Sequence, residues 1–126
     1  MKGILIAIII AALLIGGALA VSPDADNKEG VNNVVMDGDK QIINIEARGG
    51  YFPRVTTAKA NLPTVIKVST NNTFDCSSAL IIPSLNFRKN LPPVGVTEIE
   101  VSPQKAGAKI QGLCSMGMYR FDINFI

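Results

Sequence analysis

Closely spaced prolines exclude long helices from most of this chain. After residue 50 they stand at positions 53, 63, 83, 92, 93 and 103. A proline inside a helix removes a backbone hydrogen bond and clashes with the preceding turn, which costs about 3 kcal/mol or more. The chain after Val21 also lacks a helical repeat with capping residues. We therefore expect short strands, turns and loops there.

Short runs rich in β-branched and aromatic residues lie between the turn signals. The clearest is the last, where Tyr119, Phe121, Ile123 and Phe125 alternate with polar residues. A period of two is typical of a strand with one buried face. Seven such strands with frequent turns predict an all-β sandwich. The predicted strands are residues 41–47, 54–57, 64–70, 79–82, 97–101, 108–113 and 119–125.

The first 21 residues are predicted to export or anchor the protein. Lys2 precedes an uncharged apolar run from Gly3 to Val21, which is close to the roughly 20 residues that span a bilayer. The Ala18-Leu19-Ala20 pattern also fits a cleavage site, so a cleaved signal peptide and a retained hydrophobic helix both stay open. Either one predicts an extracytoplasmic location, in the periplasm or at the outer face of the cell membrane.

Composition divides the remainder into two parts. Residues 22–40 are polar and acidic, and so few aliphatic residues cannot offset the entropy of ordering the backbone. We interpret them as a flexible tether and residues 41–126 as one small domain. Small exported domains often add a disulfide or a metal to a modest core.

Charge and residue types narrow the functional classes. The formal net charge is +2 and the basic residues are dispersed, which argues against a nucleic-acid partner. The chain has no histidine and no carboxylate pair spaced as an acid and a base, so we expect no enzyme activity. The Arg88-Lys89 pair is interpreted as a solvated loop charge, with contact to an acidic partner as the alternative.

Sulfur side chains are the chemical signature of the domain. Cys114, Met116 and Met118 lie within five residues of one another, and Cys76 lies in the loop after strand 64–70. Thiolates and thioethers without imidazole favour Cu(I) over harder cations, and Ag(I) would accept the same donors. Gly117 would let the chain turn between the two methionines. Two loops at one end of a sandwich can converge, which predicts a metal site.

These residues resemble a known family. The order and spacing of several short motifs are similar to the cupredoxin-like domains attached to bacterial heavy-metal transport proteins. The likeness covers residues 41–126, and the final Cys-x-Met-Gly-Met is its most specific part. The motifs are Gly50-Tyr51-Phe52-Pro53, Cys76, Ile82-Pro83, Leu91-Pro92, Ala106-Gly107 and Cys114-x-Met116-Gly117-Met118-Tyr119.

The resemblance implies a Greek-key β-sandwich that binds copper at one pole. Cys76 stands where blue-copper members carry an upstream histidine, and the late loop would supply the other ligands. Because blue Cu(II) sites combine two imidazoles with a thiolate, the lack of histidine argues against electron transfer of that kind. The implied ligand set is Cys76, Cys114, Met116 and Met118.

The sequence thus predicts an extracytoplasmic protein that holds Cu(I) for carriage, buffering or delivery. Its partner would be a copper-transporting membrane protein or an oxidase-assembly factor. Three alternatives stay open at this point. Cys76 and Cys114 could form a disulfide in a metal-free interaction domain, the methionines could fill the core, and an electron-transfer site could use atypical ligands.

Overall fold

The computed structural model describes residues 33–126, which form ten strands and two single-turn 3-10 helices, with no α-helix among them. The 3-10 turns are Cys76–Ser78 and Pro83–Leu85. The strands are β1 (Val34–Asp37), β2 (Lys40–Ala47), β3 (Tyr51–Phe52), β4 (Val55–Ala58), β5 (Thr64–Thr70), β6 (Ala79–Ile82), β7 (Phe87–Asn90), β8 (Gly95–Val101), β9 (Lys109–Cys114) and β10 (Arg120–Phe125).

These strands make two sheets. The first has the order β1-β2-β5-β8, with β3 also paired to β2, and the second has the order β4-β10-β9-β6-β7. Both are mixed, because β2 runs parallel to β5 and β4 runs parallel to β10 while the other pairs are antiparallel. The prediction of an all-β sandwich is confirmed.

Alternate side chains of both sheets meet in one core. β5 shows the period clearly, since every second residue from Thr64 to Thr70 is buried. Between the sheets Tyr51 packs edge-on against Phe121, with ring centroids 5.2 Å apart. The core consists of the apolar residues Ile43, Ile45, Ala47, Tyr51, Ala58, Ile66, Val68, Leu80, Ile82, Leu91, Ile99, Val101, Ile110, Cys114, Phe121, Ile123 and Phe125.

The predicted strands match the observed ones to within two residues at each end, and three observed strands were missed. β5 and β6 have the predicted bounds. β3 has two residues, and β7 carries Arg88 and Lys89, so neither shows a hydrophobic period. Arg88 and Lys89 are therefore strand residues, and their interpretation as loop charges is wrong.

The folded domain begins before the predicted boundary at Gln41. β1 lies within residues 22–40, which were interpreted as a tether, and it pairs antiparallel with β2 through a turn at Gly38, whose φ is +61°. Val34 and Val35 favour a strand, and the turn supplies a partner close in sequence. The rest of the tether and the hydrophobic segment 1–21 lie outside the described residues.

One end of the sandwich gathers the loops that carry sulfur. We call this end the sulfur pole and define it by residues 71–78 and 115–119. The loop 91–94 joins it, since the backbone N–H of Thr73 donates to the carbonyl of Pro93 at 3.0 Å. The opposite end carries Lys40 and the loop before β9. Within residues 33–126 no helix has the length and apolar character needed to cross a membrane.

Candidate metal centre

Cys114 is fixed by the register of the second sheet. It ends β9 opposite Leu80 of β6, and both side chains point into the core with no exposed surface. Its backbone N–H donates to the carbonyl of Tyr119 at 3.0 Å, and the N–H of Tyr119 donates to its Sγ at 3.5 Å. The loop between these two residues therefore closes over the sulfur.

Cys76 starts the 3-10 turn that follows β5 and is half-buried. Two hydroxyls tie this segment to the first sheet. The Tyr51 hydroxyl donates to the carbonyl of Ser77 at 2.9 Å, and the Thr73 hydroxyl donates to the carbonyl of Ala47 at 2.6 Å. A short turn has little internal stability, so these anchors determine where the Cys76 thiol lies.

The two cysteines, far apart in sequence, meet at the sulfur pole. Both are free thiols, and they lie near enough to each other for their ionisations to be linked. The interaction with the Cys114 thiol, followed by burial, raises the pKa of Cys76. Burial alone would raise the pKa of Cys114, but the interaction with Cys76 and the nearby N–H groups of Tyr119, Met116 and Met118 outweigh burial and lower it. Cys114 is therefore the thiol expected to lose its proton first.

The loop 115–119, which carries Met116 and Met118, places its backbone near the thiols and exposes both methionine side chains. Gly117 has a φ of +71°, a conformation that favours glycine, and its N–H donates to the carbonyl of Cys114 at 2.8 Å. The side chains of Met116 and Met118 are 76% and 66% exposed. The alternative that these methionines fill the core is therefore wrong. Two thioethers stand at the surface beside two thiols.

The side chain of Asp75, the residue before Cys76, bonds to a neighbouring side chain of the turn. Its Oδ1 accepts a hydrogen bond from the Ser77 hydroxyl at 2.8 Å, and its side chain makes no cap to a backbone N–H. Its Oδ2 is buried without a hydrogen-bond partner among the described residues.

Burial, with the nearby Cys114, Cys76 and Asp75, raises the pKa of Tyr51 above its ordinary value. The Tyr51 hydroxyl therefore stays protonated and keeps donating to Ser77.

The donor set fits a soft monovalent ion. Within residues 33–126 no group of three or more histidine, cysteine, aspartate or glutamate side chains could hold a metal. The two thiols and the neighbouring thioethers are donors of the soft type that favours Cu(I) over harder cations.

Sequence reasoning found the sulfur atoms and missed the residues that place them. Tyr51 entered only as part of a family motif, and Thr73 carried no signal of its own, yet both anchor the Cys76 segment. Tyr51 precedes Pro53 by two residues in a motif of the resemblance, and this could have marked it as structural. No local pattern could have revealed that its hydroxyl reaches a carbonyl 26 residues away.

Comparison with known proteins identifies the family. A family profile described as a cupredoxin-like domain matches residues 5–123. The chain belongs to the cupredoxin-like domain family. No curated protein sequence matches the chain. The family resemblance inferred from the motifs is thus confirmed.

Two solved structures are similar to this cupredoxin-like domain. One is the metal binding domain of the Cu(I) exporting P-type ATPase CopA of Streptococcus pneumoniae D39, solved with Cu(I). It is 18% identical, with a TM-score of 0.66, over 74% of this chain and 92% of that one. The other is a copper binding protein solved in its apo form, 22% identical, with a TM-score of 0.66, over 74% of this chain and 94% of that one. At this identity the likeness shows the fold.

Proposed function

We propose that this protein is an extracytoplasmic carrier or buffer of Cu(I), which it holds as cargo at the sulfur pole. The ligands would be the thiolates of Cys76 and Cys114 with the thioether of Met116, Met118 or both. The contact between the two thiols, beneath a loop of exposed methionines in a chain without histidine, carries the proposal. A fold shared with copper-binding domains supports it.

The burial of the donors suggests an order of binding. The exposed thioethers can meet an arriving ion without any change in the fold, whereas Cys114 is closed off from solvent. Cu(I) would bind first at the methionines and then displace the thiol protons, first from Cys114 and then from Cys76. Release to a copper transporter or an assembly factor would reverse these ligand exchanges. The apolar run 3–21 would hold the protein at the membrane or direct its export.

A Cu(I) titration tests the proposal. The reduced full chain, in non-ionic detergent because of the apolar run, is titrated against a chromophoric Cu(I) chelator while the reactive thiols are counted. We expect one equivalent of Cu(I) to protect both thiols. Cys114→Ser should lower the affinity by roughly a hundredfold or more, and Met118→Leu by roughly tenfold, about 1.4 kcal/mol of binding free energy.

Met36→Leu is the matched control. Met36 is also an exposed methionine, but it lies on β1, opposite Gln41 and away from the sulfur pole. Its replacement should leave the Cu(I) affinity unchanged. The proposal fails if the cysteines close to a disulfide in air and the reduced protein does not compete for Cu(I). That result would make this a disulfide-stapled interaction domain.

A further inference from the structure

Two arginines flank the sulfur pole on the outer face of the second sheet. Arg88 of β7 lies opposite Ile81 of β6, Ile81 lies opposite Leu113 of β9, and Leu113 lies opposite Arg120 of β10. Residues opposite one another on neighbouring strands share a face of the sheet. We call these four residues the arginine row. Three strand spacings put its two arginine Cα atoms roughly 14 Å apart.

The arginine row faces solvent beside the proposed ligands. Leu113 immediately precedes Cys114, and strand alternation turns Leu113 outward where Cys114 turns inward. Arg88 and Arg120 are exposed, while Ile81 and Leu113 between them are half-buried. Two shallow depressions adjoin the row. One of about 380 Å³ lies between Arg88, Lys89 and Ser115, and one of about 130 Å³ lies between Leu113, Gly117 and Arg120.

The positive charges of this face are not neutralised by the described residues. The ion pairs within residues 33–126 are Lys67–Glu98 and Lys109–Asp122, and neither involves Arg88 or Arg120. Asp122, the carboxylate on the same face of β10 as Arg120, is already occupied. Lys109 lies 3.4 Å from it, and Gln111 donates to it at 3.2 Å. A cationic surface with an apolar centre therefore borders the loop 115–119 of the sulfur pole.

We propose that the arginine row is the docking surface for the copper partner, and that the partner carries carboxylates around its own metal site. This inference rests on the proposed function, since the docking brings two copper sites together. Guanidinium groups bind carboxylates through paired hydrogen bonds. Opposite charges also raise the rate of encounter, and the apolar centre provides a patch that a partner can desolvate.

Cu(I) transfer to two designed peptides tests the docking surface. The peptides share one Cys-x-x-Cys core and differ only in their flanks, which carry four glutamates in one and four glutamines in the other. At low ionic strength the Cu(I)-loaded full chain should transfer its ion to the glutamate peptide roughly tenfold faster. The double variant Arg88→Gln, Arg120→Gln should remove most of this advantage. A salt concentration of about 0.5 M, at which the Debye length is about 4 Å, should do the same.

The matched control removes the same charge from the opposite end of the sandwich. Lys40→Gln with Lys105→Gln should retain the advantage, because both residues are exposed and remote from the sulfur pole. Equal wild-type rates for the two peptides would overturn the docking surface. Equal rates are also the result expected if a second copy or another part of the chain covers the arginine row. An equal loss in the control would also overturn it. A wild-type chain that takes up no Cu(I) would instead refute the proposed function.

Discussion

At the scale of single residues, the two cysteines are held in different ways. Cys114 is part of a strand, and its sulfur accepts a hydrogen bond from the backbone N–H of Tyr119. Cys76 sits on a three-residue turn whose position depends on contacts with the other sheet, above all the hydroxyl of Tyr51. The geometry of the pair is therefore sensitive to a residue that is not itself a ligand.

Tyr51→Phe should separate this positioning role from ligation. The substitution keeps the ring against Phe121 but leaves the buried carbonyl of Ser77 without its donor, which costs about 1–3 kcal/mol of unfolding free energy. We expect Cu(I) affinity to fall roughly tenfold, as for other residues that orient ligands. Chelator competition and denaturant unfolding measure the two effects.

Thr64→Val provides the comparison. It also removes a buried hydroxyl, one that bonds Gln41 and Leu62 at the opposite end of β5. It should lower stability while leaving Cu(I) affinity unchanged. If both variants lose affinity in proportion to stability, Tyr51 has no specific role in positioning Cys76.

The number of protons released on binding should vary with pH. Below the lowered pKa of Cys114 both thiols are protonated, so Cu(I) displaces two protons. Between that pKa and the raised pKa of Cys76 it displaces one, and above both it displaces none. Affinity should rise roughly a hundredfold per pH unit, then tenfold, then level off. An affinity that is flat across the whole range would exclude thiolate ligands.

At the scale of elements, β9 links the core to the site. It begins at the far end of the sandwich and ends at Cys114, and it pairs with both β10 and β6. Gly112 lies two residues before Cys114, directly opposite Phe121. A Cβ atom at Gly112 would collide with the Phe121 ring. The close approach of β9 to this ring requires glycine.

Gly112→Ala should damage the fold and leave every sulfur donor in place. The ring of Phe121 would have to shift within a core where it is packed against Tyr51, and overpacking of this kind costs about 1–3 kcal/mol. Thermal unfolding of the apo protein should show the loss. A Gly112→Ala variant as stable as the wild type would show that the ring moves freely.

At the scale of the whole molecule, the sequence predicted more of the fold than of the site. Alternation within strands such as 64–70 depends on neighbours in sequence, so it was visible. β1, β3 and β7 are short or polar, so their sequences show no clear alternation and they were missed. The spacing of the cysteines and methionines predicted a site for a soft metal. It could not predict that Cys76 and Cys114 lie together or that the methionines are exposed, because both depend on how the two sheets stack.

The same architecture explains how one end of a small domain can carry a site. Strands of two sheets deliver the loops 71–78 and 115–119 to one pole, and the shared core fixes their spacing. The cationic outer face of the second sheet ends at the same pole. Binding and docking would thus use adjacent surfaces, which suits an ion that must be handed directly from one protein to another.

The most direct test is X-ray absorption at the copper edge of the full chain loaded with one equivalent of Cu(I). The account predicts a monovalent edge and a first shell of sulfur alone, with fewer sulfur neighbours in Met118→Leu. A first shell containing nitrogen or oxygen, or a spectrum unchanged in Cys114→Ser, would contradict the proposed ligands.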